Sequence, residues 1–454
     1  MKLKPIILIS ILYLFISNLS AQQSYNLQSC IKYALENNHN LKKSQLDREK
    51  STQATREIIG TLLPQINASA NVSDNIKNMS FIMSNFMAND PTDPKYMSLS
   101  MGTPYSAGAG IVLNQQLLNF SLFNAVEISK MAQQMAELGI KSKEEDIISQ
   151  TANLYYAAQV TDYAVGQIDK SIELMGQLLK TMEVSLANGL IKKVDVDRLK
   201  VARTNLMTQR NAIQSAIDVQ KNLLKLQMGL NMDQSIEVEP IDFRFFEDQS
   251  EQETDYTFNI NLQTPYRIIE QQQELGLRQK KSAIYESFPV LTLSANYQMN
   301  WANDLLSFSN DGEVHYRFPT SAIALSFRFP IFSGLSRTAK IRQAVLEQKK
   351  LQEDALTLEQ SLNMAYLNAL IKLQDSRMTI QAQRENRTLA QDVYDISEKN
   401  FTQGVASMSD VLNANSSLIH SQVSYADALN NYMKAYIDLR KANGTIRGFI
   451  ENEN

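Results

Sequence analysis

Two hydrophobic periodicities divide this chain. After Pro289 the side chains alternate: Leu291, Leu293, Ala295, Tyr297, Met299 and Trp301 fall on one side, Thr292, Ser294, Asn296, Gln298 and Asn300 on the other. A period of two over this length predicts an amphipathic β-strand. Ile66, Ala68, Ala70 and Val72 alternate in the same way with Gln65, Asn67, Ser69 and Asn71, and Ile323, Leu325, Phe327 and Phe329 with Ala322, Ala324, Ser326 and Arg328. Ile111, Leu113 and Leu117 alternate less cleanly with Val112, Asn114 and Gln116. Four strands are therefore predicted, at about 62–74, 108–118, 289–301 and 320–331. The other windows step by three or four, as in Leu351, Ala355, Leu358, Leu362, Ala365, Ala369 and Ile380. They predict long helical hairpins over about 122–230 and 336–443. The segment 122–188 alone would span about 100 Å at 1.5 Å per residue, longer than any compact soluble domain.

The pattern occurs twice. "SLANGLIKKVDV" (185–196) matches "NFTQGVASMSDV" (400–411), pairing Gly189 with Gly404 and Asp195 with Asp410 at a spacing of 215. "LLPQINASANVS" (62–73) corresponds to "SFPVLTLSANYQ" (287–298), and "LLNFS" (117–121) to "PIFSG" (330–334). Each half reads helix, strand, long loop, strand, very long helix, Gly turn, helix. The expected organisation is a first repeat over 22–230, a linker over 231–256, a second repeat over 257–446 and a short tail over 447–454. A unit this long is a duplicated half-domain, since solenoid repeats run to about 20–50 residues.

Composition sharpens this picture. The chain of 454 residues holds only 15 Gly and 10 Pro, about half of average usage. No Pro lies between residues 105 and 239 or after 330, the two windows assigned to long helices, where an interior Pro would cost ~3 kcal/mol. A net charge of −4 argues against a phosphate-binding surface and hence against nucleic acid as a partner. The N-terminus has Lys2 and Lys4, an apolar run from Ile6 to Ile16, then Ser20 and Ala21. That is the layout of a signal peptide over 1–21, a short membrane anchor being the alternative. Later apolar runs are too short for a membrane-spanning helix. Cys30, the only cysteine, excludes an intramolecular disulfide and continues a helical stripe with Leu27, Ala34 and Leu35. It reads as a buried helix residue, although a lipid-anchored cysteine is possible in an exported bacterial protein.

Strands of about ten residues, apolar at every second position, match membrane β-barrel strands. Four cannot close a barrel, and open edges are not tolerated in lipid. Two copies would supply eight strands with a filled interior; three would supply twelve and room for a channel. Leu, Ile, Phe and Tyr would face hydrocarbon, Ser, Thr, Asn and Gln water, and Tyr297 and Trp301 would approach one interface. A half-solvated sheet in a soluble domain is the alternative, but it does not explain the signal peptide or the long helices.

Order and duplication together resemble the TolC-like outer-membrane efflux protein family across nearly the whole mature chain. The resemblance rests on "LQSCIKYALENNHNLKKS", "LLPQINASA", "FPVLTLSANY", "FPIFSG" and "GVASMSDVLNANSSL". It implies a mainly α homotrimer whose twelve-stranded outer-membrane β-barrel continues into a long α-helical periplasmic barrel. It also implies a passive exit duct for small molecules, working with a periplasmic adaptor and an inner-membrane pump. The outer channel of a protein-secretion system is a second use of the same architecture; a periplasmic coiled-coil scaffold is the alternative from another class.

Gly189 and Gly404 end their helices, where a left-handed backbone is expected. By resemblance the same turns dock the adaptor, with Lys192 and Lys193 available for charge contacts. Asp195 and Asp410 stand six residues after each Gly, where an acidic side chain complements the helix dipole. The family carries two acidic rings and a locking Arg at this end. Asp410 matches one ring, but Asn413 stands at the second and Ala406 at the Arg position, so the lock is not kept in its usual form. Phe401 matches an aromatic gate position, with a packed tunnel residue as the plainer role. Neither a Ser–His–Asp arrangement, a phosphate loop nor a Cys pair occurs, and His39, His315 and His420 are scattered. No enzyme, cofactor or metal is expected. "IDFRFFEDQSEQETDY" (241–256) is acidic and reads as a mid-tunnel belt.

Overall fold

A computed structural model describes residues 24–87, 90, 92–241, 257–304 and 316–451. The segment 1–21, most of the 241–256 stretch, His315 and the end of the tail lie outside them. In chain order the elements are β1 (Ser24–Tyr25), α1 (Leu27–Asn37), α2 (His39–Gly60), β2 (Gln65–Asp74), β3 (Met79–Ser84), β4 (Tyr96–Met101), β5 (Tyr105–Leu118), α3 (Phe120–Ala187) and α4 (Lys193–Met228). There follow β6 (Glu237–Val238), a 3-10 turn (Ile260–Leu262), α5 (Thr264–Tyr285), β7 (Val290–Asn303), β8 (Tyr316–Arg328), α6 (Ser336–Thr402), α7 (Met408–Ala442) and α8 (Gly448–Glu451). They form two compact units, each assembled from both sequence repeats: one from Glu49–Gln134 with Gln271–Gln352, the other from the remainder.

In the first unit an antiparallel sheet runs in the order β2-β5-β7-β8. Register puts the apolar positions of all four strands on one face: Ile66 opposite Leu113, Leu113 opposite Ala295, Ala295 opposite Ile323. The polar face carries Asn71, Asn114, Ser294, Gln298, Asn300 and Thr320. Because the side-chain period is two, a one-residue slip would exchange the faces. The alternation in β5 is imperfect at its end because a bulge between Gln116 and Leu118 takes Leu117 out of the ladder, which resumes with Leu118 opposite Leu291; before the bulge Gln115 stands on the apolar face opposite Leu293.

Several sequence expectations shift. β2 starts at Gln65 rather than 62, because residues 61–63 finish the helix with backbone bonds to Ile58, Ile59 and Gly60 before Pro64, which has no N–H to give. β5 starts at Tyr105, three residues early. β8 starts at Tyr316 and stops at Arg328; Pro319 lies within it and gives the strand one backbone donor fewer. The 74–104 loop contains the hairpin β3–β4. Tyr297 sits in the middle row of the sheet rather than near its end, since β7 runs on to Asn303. Trp301 does lie near that end, with the Arg317 guanidinium 5.7 Å from its ring. The aromatic group at the opposite end, Phe120, Phe123, Tyr285 and Phe288 with centroids 5.2–6.5 Å apart, joins residues from both repeats and has no local sequence signal.

In the second unit the hairpin α3–α4 packs against α6–α7. One core gathers Cys30, Ile31, Ile147, Ile148, Leu224, Met228 and Tyr432; another, toward the hairpin turns, gathers Ile168, Met182, Leu199, Tyr394, Met408 and Leu418. Cys30 is fully buried, and burial pushes its thiol up to about 12. The buried line of α6 passes through Tyr366, Ala369, Leu373 and Ser376, not through Ala365, which is exposed. The linker supplies β6, paired in parallel with β1. In the tail, α8 packs Phe449 against Tyr436 at 6.0 Å. Arg387 of α6 donates to the Tyr163 hydroxyl of α3 (2.9 Å) and lies 4.3 Å from the Tyr425 ring of α7, joining the two hairpins.

Leu224 is wholly buried in the first of these cores. Leu224→Ala should cost about 2–5 kcal/mol of stability, read from the denaturant midpoint of the helical circular dichroism. An unchanged midpoint would remove this core from the account of stability.

Candidate functional site

The residues singled out from sequence lie at the two hairpin turns and on the polar sheet face. At the first turn Gly189 has φ 72; its N–H donates to the Leu186 carbonyl and that of Leu190 to the Ser185 carbonyl, both 2.9 Å. At the second, Gly404 has φ 76, its N–H donates to the Phe401 carbonyl (2.9 Å) and that of Val405 to the Asn400 carbonyl (2.8 Å). Both are helix ends closed by a left-handed residue, where a Cβ is unfavourable by roughly 1–2 kcal/mol. Each turn exposes one apolar side chain at the same repeat position, Leu190 (76%) and Val405 (78%).

The returning helices start differently. Ser407 caps α7: its hydroxyl accepts from the Asp410 N–H, and the Asp410 carboxylate accepts from the Ser407 N–H (2.9 Å) and hydroxyl (2.7 Å). These bonds hold the Asp410 carboxyl below the usual carboxylate range. At α4 the capping position is Lys192, whose side chain makes no cap bond. Asp195 instead lies 3.8 Å from Arg198, which also donates to the Ser409 hydroxyl at 3.3 Å. The start of α4 is thus tied to the start of α7 through a residue that sequence reasoning missed. The Ser-x-x-Asp pattern of residues 407–410 is a capping-box signature and was legible; the Arg198–Ser409 bond spans 211 positions and was not.

Lys192, Lys193, Asp410 and Asn413 are exposed, and the last two share a face of α7 at a three-residue spacing. Phe401 is half-buried against the core near the turns. His39 opens α2; His420 lines an open cleft of about 370 Å³ with Asn205, Gln209 and Asn415. Among the described residues no three His, Cys, Asp or Glu side chains converge to hold a metal. No described helix is long and apolar enough to cross a membrane.

The apolar sheet face is left open to solvent, with Ile323 82% exposed and Leu325 and Phe327 about two-thirds exposed. Each such side chain forgoes roughly 1.5–3 kcal/mol of burial, so this face belongs in hydrocarbon. A sheet with one lipid-seeking and one amide-lined face, in a chain that also carries duplicated helical hairpins, is the build of an outer-membrane channel subunit. The family model for "Outer membrane efflux protein" matches residues 30–228 and 269–445, and the chain belongs to that family. Outer membrane protein TolC of Escherichia coli (strain K12) is 22% identical over 446 residues, covering 94% of this chain and 84% of TolC. Among solved structures the chain is similar to the Campylobacter jejuni CmeC outer membrane channel (TM-score 0.71, 16% identity, 94% and 87% of the two chains). It is also similar to the outer membrane protein VceC of Vibrio cholerae (TM-score 0.68, 16% identity, 92% and 96%). The location is the outer membrane, with the helical hairpins on the periplasmic side.

A carboxyl held below its ordinary value stabilises the fold fully above that value and ceases to as pH falls through the lowered one. Amide exchange in the first turn of α7 should therefore accelerate relative to that of α4 on acidifying below 3.8, and Asp410→Ala should abolish the dependence. A pH-independent ratio in the unsubstituted protein would show that the box contributes nothing.

Proposed function

We propose that three copies close into a twelve-stranded barrel and act as the passive exit duct of a tripartite efflux system for small molecules. A periplasmic adaptor docks at the hairpin turns and an inner-membrane pump supplies the energy. The observation that carries this is the unpaired outer edge of β2 and of β8 in a sheet whose faces are already sorted for lipid and water. Pairing β8 of one copy with β2 of the next satisfies those backbone groups, and such a head-to-tail contact closes into a ring.

The helices support the same assembly. α6 exposes Met364, Leu367, Ile371, Met378, Leu389, Val393 and Ile396, a stripe at helical spacing apart from its buried line. It suits a neighbouring copy in contact along the helix. At the turns, Gly189 and Gly404 present Leu190 and Val405 for adaptor contact, beside Lys192 and Lys193. Asp410, repeated three times, places ionised carboxylates around the aperture, held by the Ser407 bonds; Asn413 adds a neutral ring one turn on. Carboxylate rings favour cations. Phe401 packs behind the aperture. Asp195, tied to Arg198, contributes to holding the turns together rather than to the ring. No step here calls on a catalytic group.

Single-channel recording of the purified protein tests the whole reading: a detergent-extracted, heat-modifiable trimer should conduct, whereas a monomer soluble without detergent refutes it. Leu325→Arg puts a charge toward lipid at about 2–4 kcal/mol near the midplane and should reduce trimer yield; normal yield would reverse the face assignment. Asp410→Ala should weaken cation preference and block by trivalent cations in planar bilayers. Unchanged conduction would reduce Asp410 to a helix cap.

A further inference from the structure

On the polar face of the sheet, β5 offers two glycines in register with amide side chains of its neighbours. Gly110 stands opposite Gln298, and Gly108 stands between Asn300 on one side and Asn71 on the other. Gly108 is the one buried residue of β5, although it lies on the hydrophilic face. Amides cover it: a methyl group there would stand 2.5 Å from Gln298 Nε2 and 2.9 Å from Asn71 Oδ1. Gln298 Nε2 donates to Asn300 Oδ1 (2.9 Å), and Asn300 Nδ2 donates to Thr320 Oγ1 (3.1 Å). Two adjacent levels of the sheet thus carry these groups: Ser69, Gly110, Gln298 and Thr320 on one, and Asn71, Gly108 and Asn300 on the next, which ends at Phe318 of β8.

We propose that Gly108 sets the bore of the barrel by letting these amides lie flat against the wall, while Gly110 lets β5 and β7 approach beneath them. Three copies then make a recessed, uncharged belt that offers hydrogen bonds to hydrated neutral and zwitterionic solutes without selecting charge. This rests on the closed trimer proposed above. The two glycines act differently. Around Gly108 the obstructing atoms are the ends of flexible side chains, so a methyl group there displaces Gln298 and Asn71 toward the lumen. Around Gly110 they are backbone and near-backbone atoms, the Tyr297 carbonyl at 2.5 Å and Gln298 Cα at 2.9 Å, so a methyl group there disturbs the β5–β7 ladder itself.

The test compares the unsubstituted protein, Gly108→Ala and Gly108→Ala/Gln298→Ala, each confirmed as a heat-resistant trimer and reconstituted in planar bilayers. Poly(ethylene glycol) of graded size is added on the outer side only. Polymers small enough to enter lower the conductance, so the size at which this effect vanishes reports the bore. The cut-off should shift downward in Gly108→Ala and move back toward the unsubstituted value in the double variant, where Asn71 alone remains displaced, with the reversal potential unchanged throughout. If Gly108→Ala gives no trimers, the double variant must restore them. A wild-type cut-off in Gly108→Ala, narrowing that is undiminished by loss of the Gln298 amide, or trimers that the double variant does not recover would each overturn the proposal. An unsubstituted protein that forms no pore would instead overturn the reading on which it rests.

Discussion

Backbone hydrogen bonding at the two free edges of one sheet governs this protein. Among the described residues, strands β2 and β8 each leave a row of N–H and C=O groups without ladder partners. In hydrocarbon each such group costs several kcal/mol. Water could satisfy them, but the face between them is covered with Ile, Leu, Phe and Tyr that water does not favour. The two demands agree in the proposed ring of copies, where edges meet edges, the apolar face turns to lipid and the amides turn inward. The exposed stripe of α6 then finds a neighbour in the same assembly.

Duplication supplies the parts, and divergence gives them separate jobs. The two turns share their backbone, a left-handed glycine followed by an exposed apolar residue and an aspartate six positions after the glycine. Beyond that the chemistry parts. With Ser407 at the cap, Asp410 is drawn into a box that keeps it ionised. With Lys192 at the corresponding place, Asp195 turns to Arg198, which reaches across to Ser409. The Asp410 box and the Arg198 tie between hairpins thus go with different residues at the capping position, Ser407 in one turn and Lys192 in the other.

The sheet shows a similar economy. Its polar face is uncharged beside Gly108 and Gly110, and Gln298, Asn300 and Thr320 bond to one another across these two levels. Asn and Gln offer both donors and acceptors, so such a row can satisfy itself and still present hydrogen bonds to solutes. Glycine in a strand interior ordinarily weakens it; here the lost side chain gives room to its neighbours' amides.

By itself the sequence determined the periodicities, and through them the strands, the long hairpins, the duplication and the two glycine turns, because these depend on positions a few residues apart. The Ser407–Asp410 box was equally local and could have been read there. Strand ends moved by two to four residues where tertiary pairing outlasted the local pattern, as at Tyr105 and Tyr316. Only the tertiary structure decided which face each strand shares with its neighbours, that Tyr366 rather than Ala365 enters the core, that Arg198 meets Ser409, and that Phe120 and Phe288 join across the repeats. These are contacts between residues tens to hundreds of positions apart, and their energies depend on where the chain brings them, which no local spacing encodes.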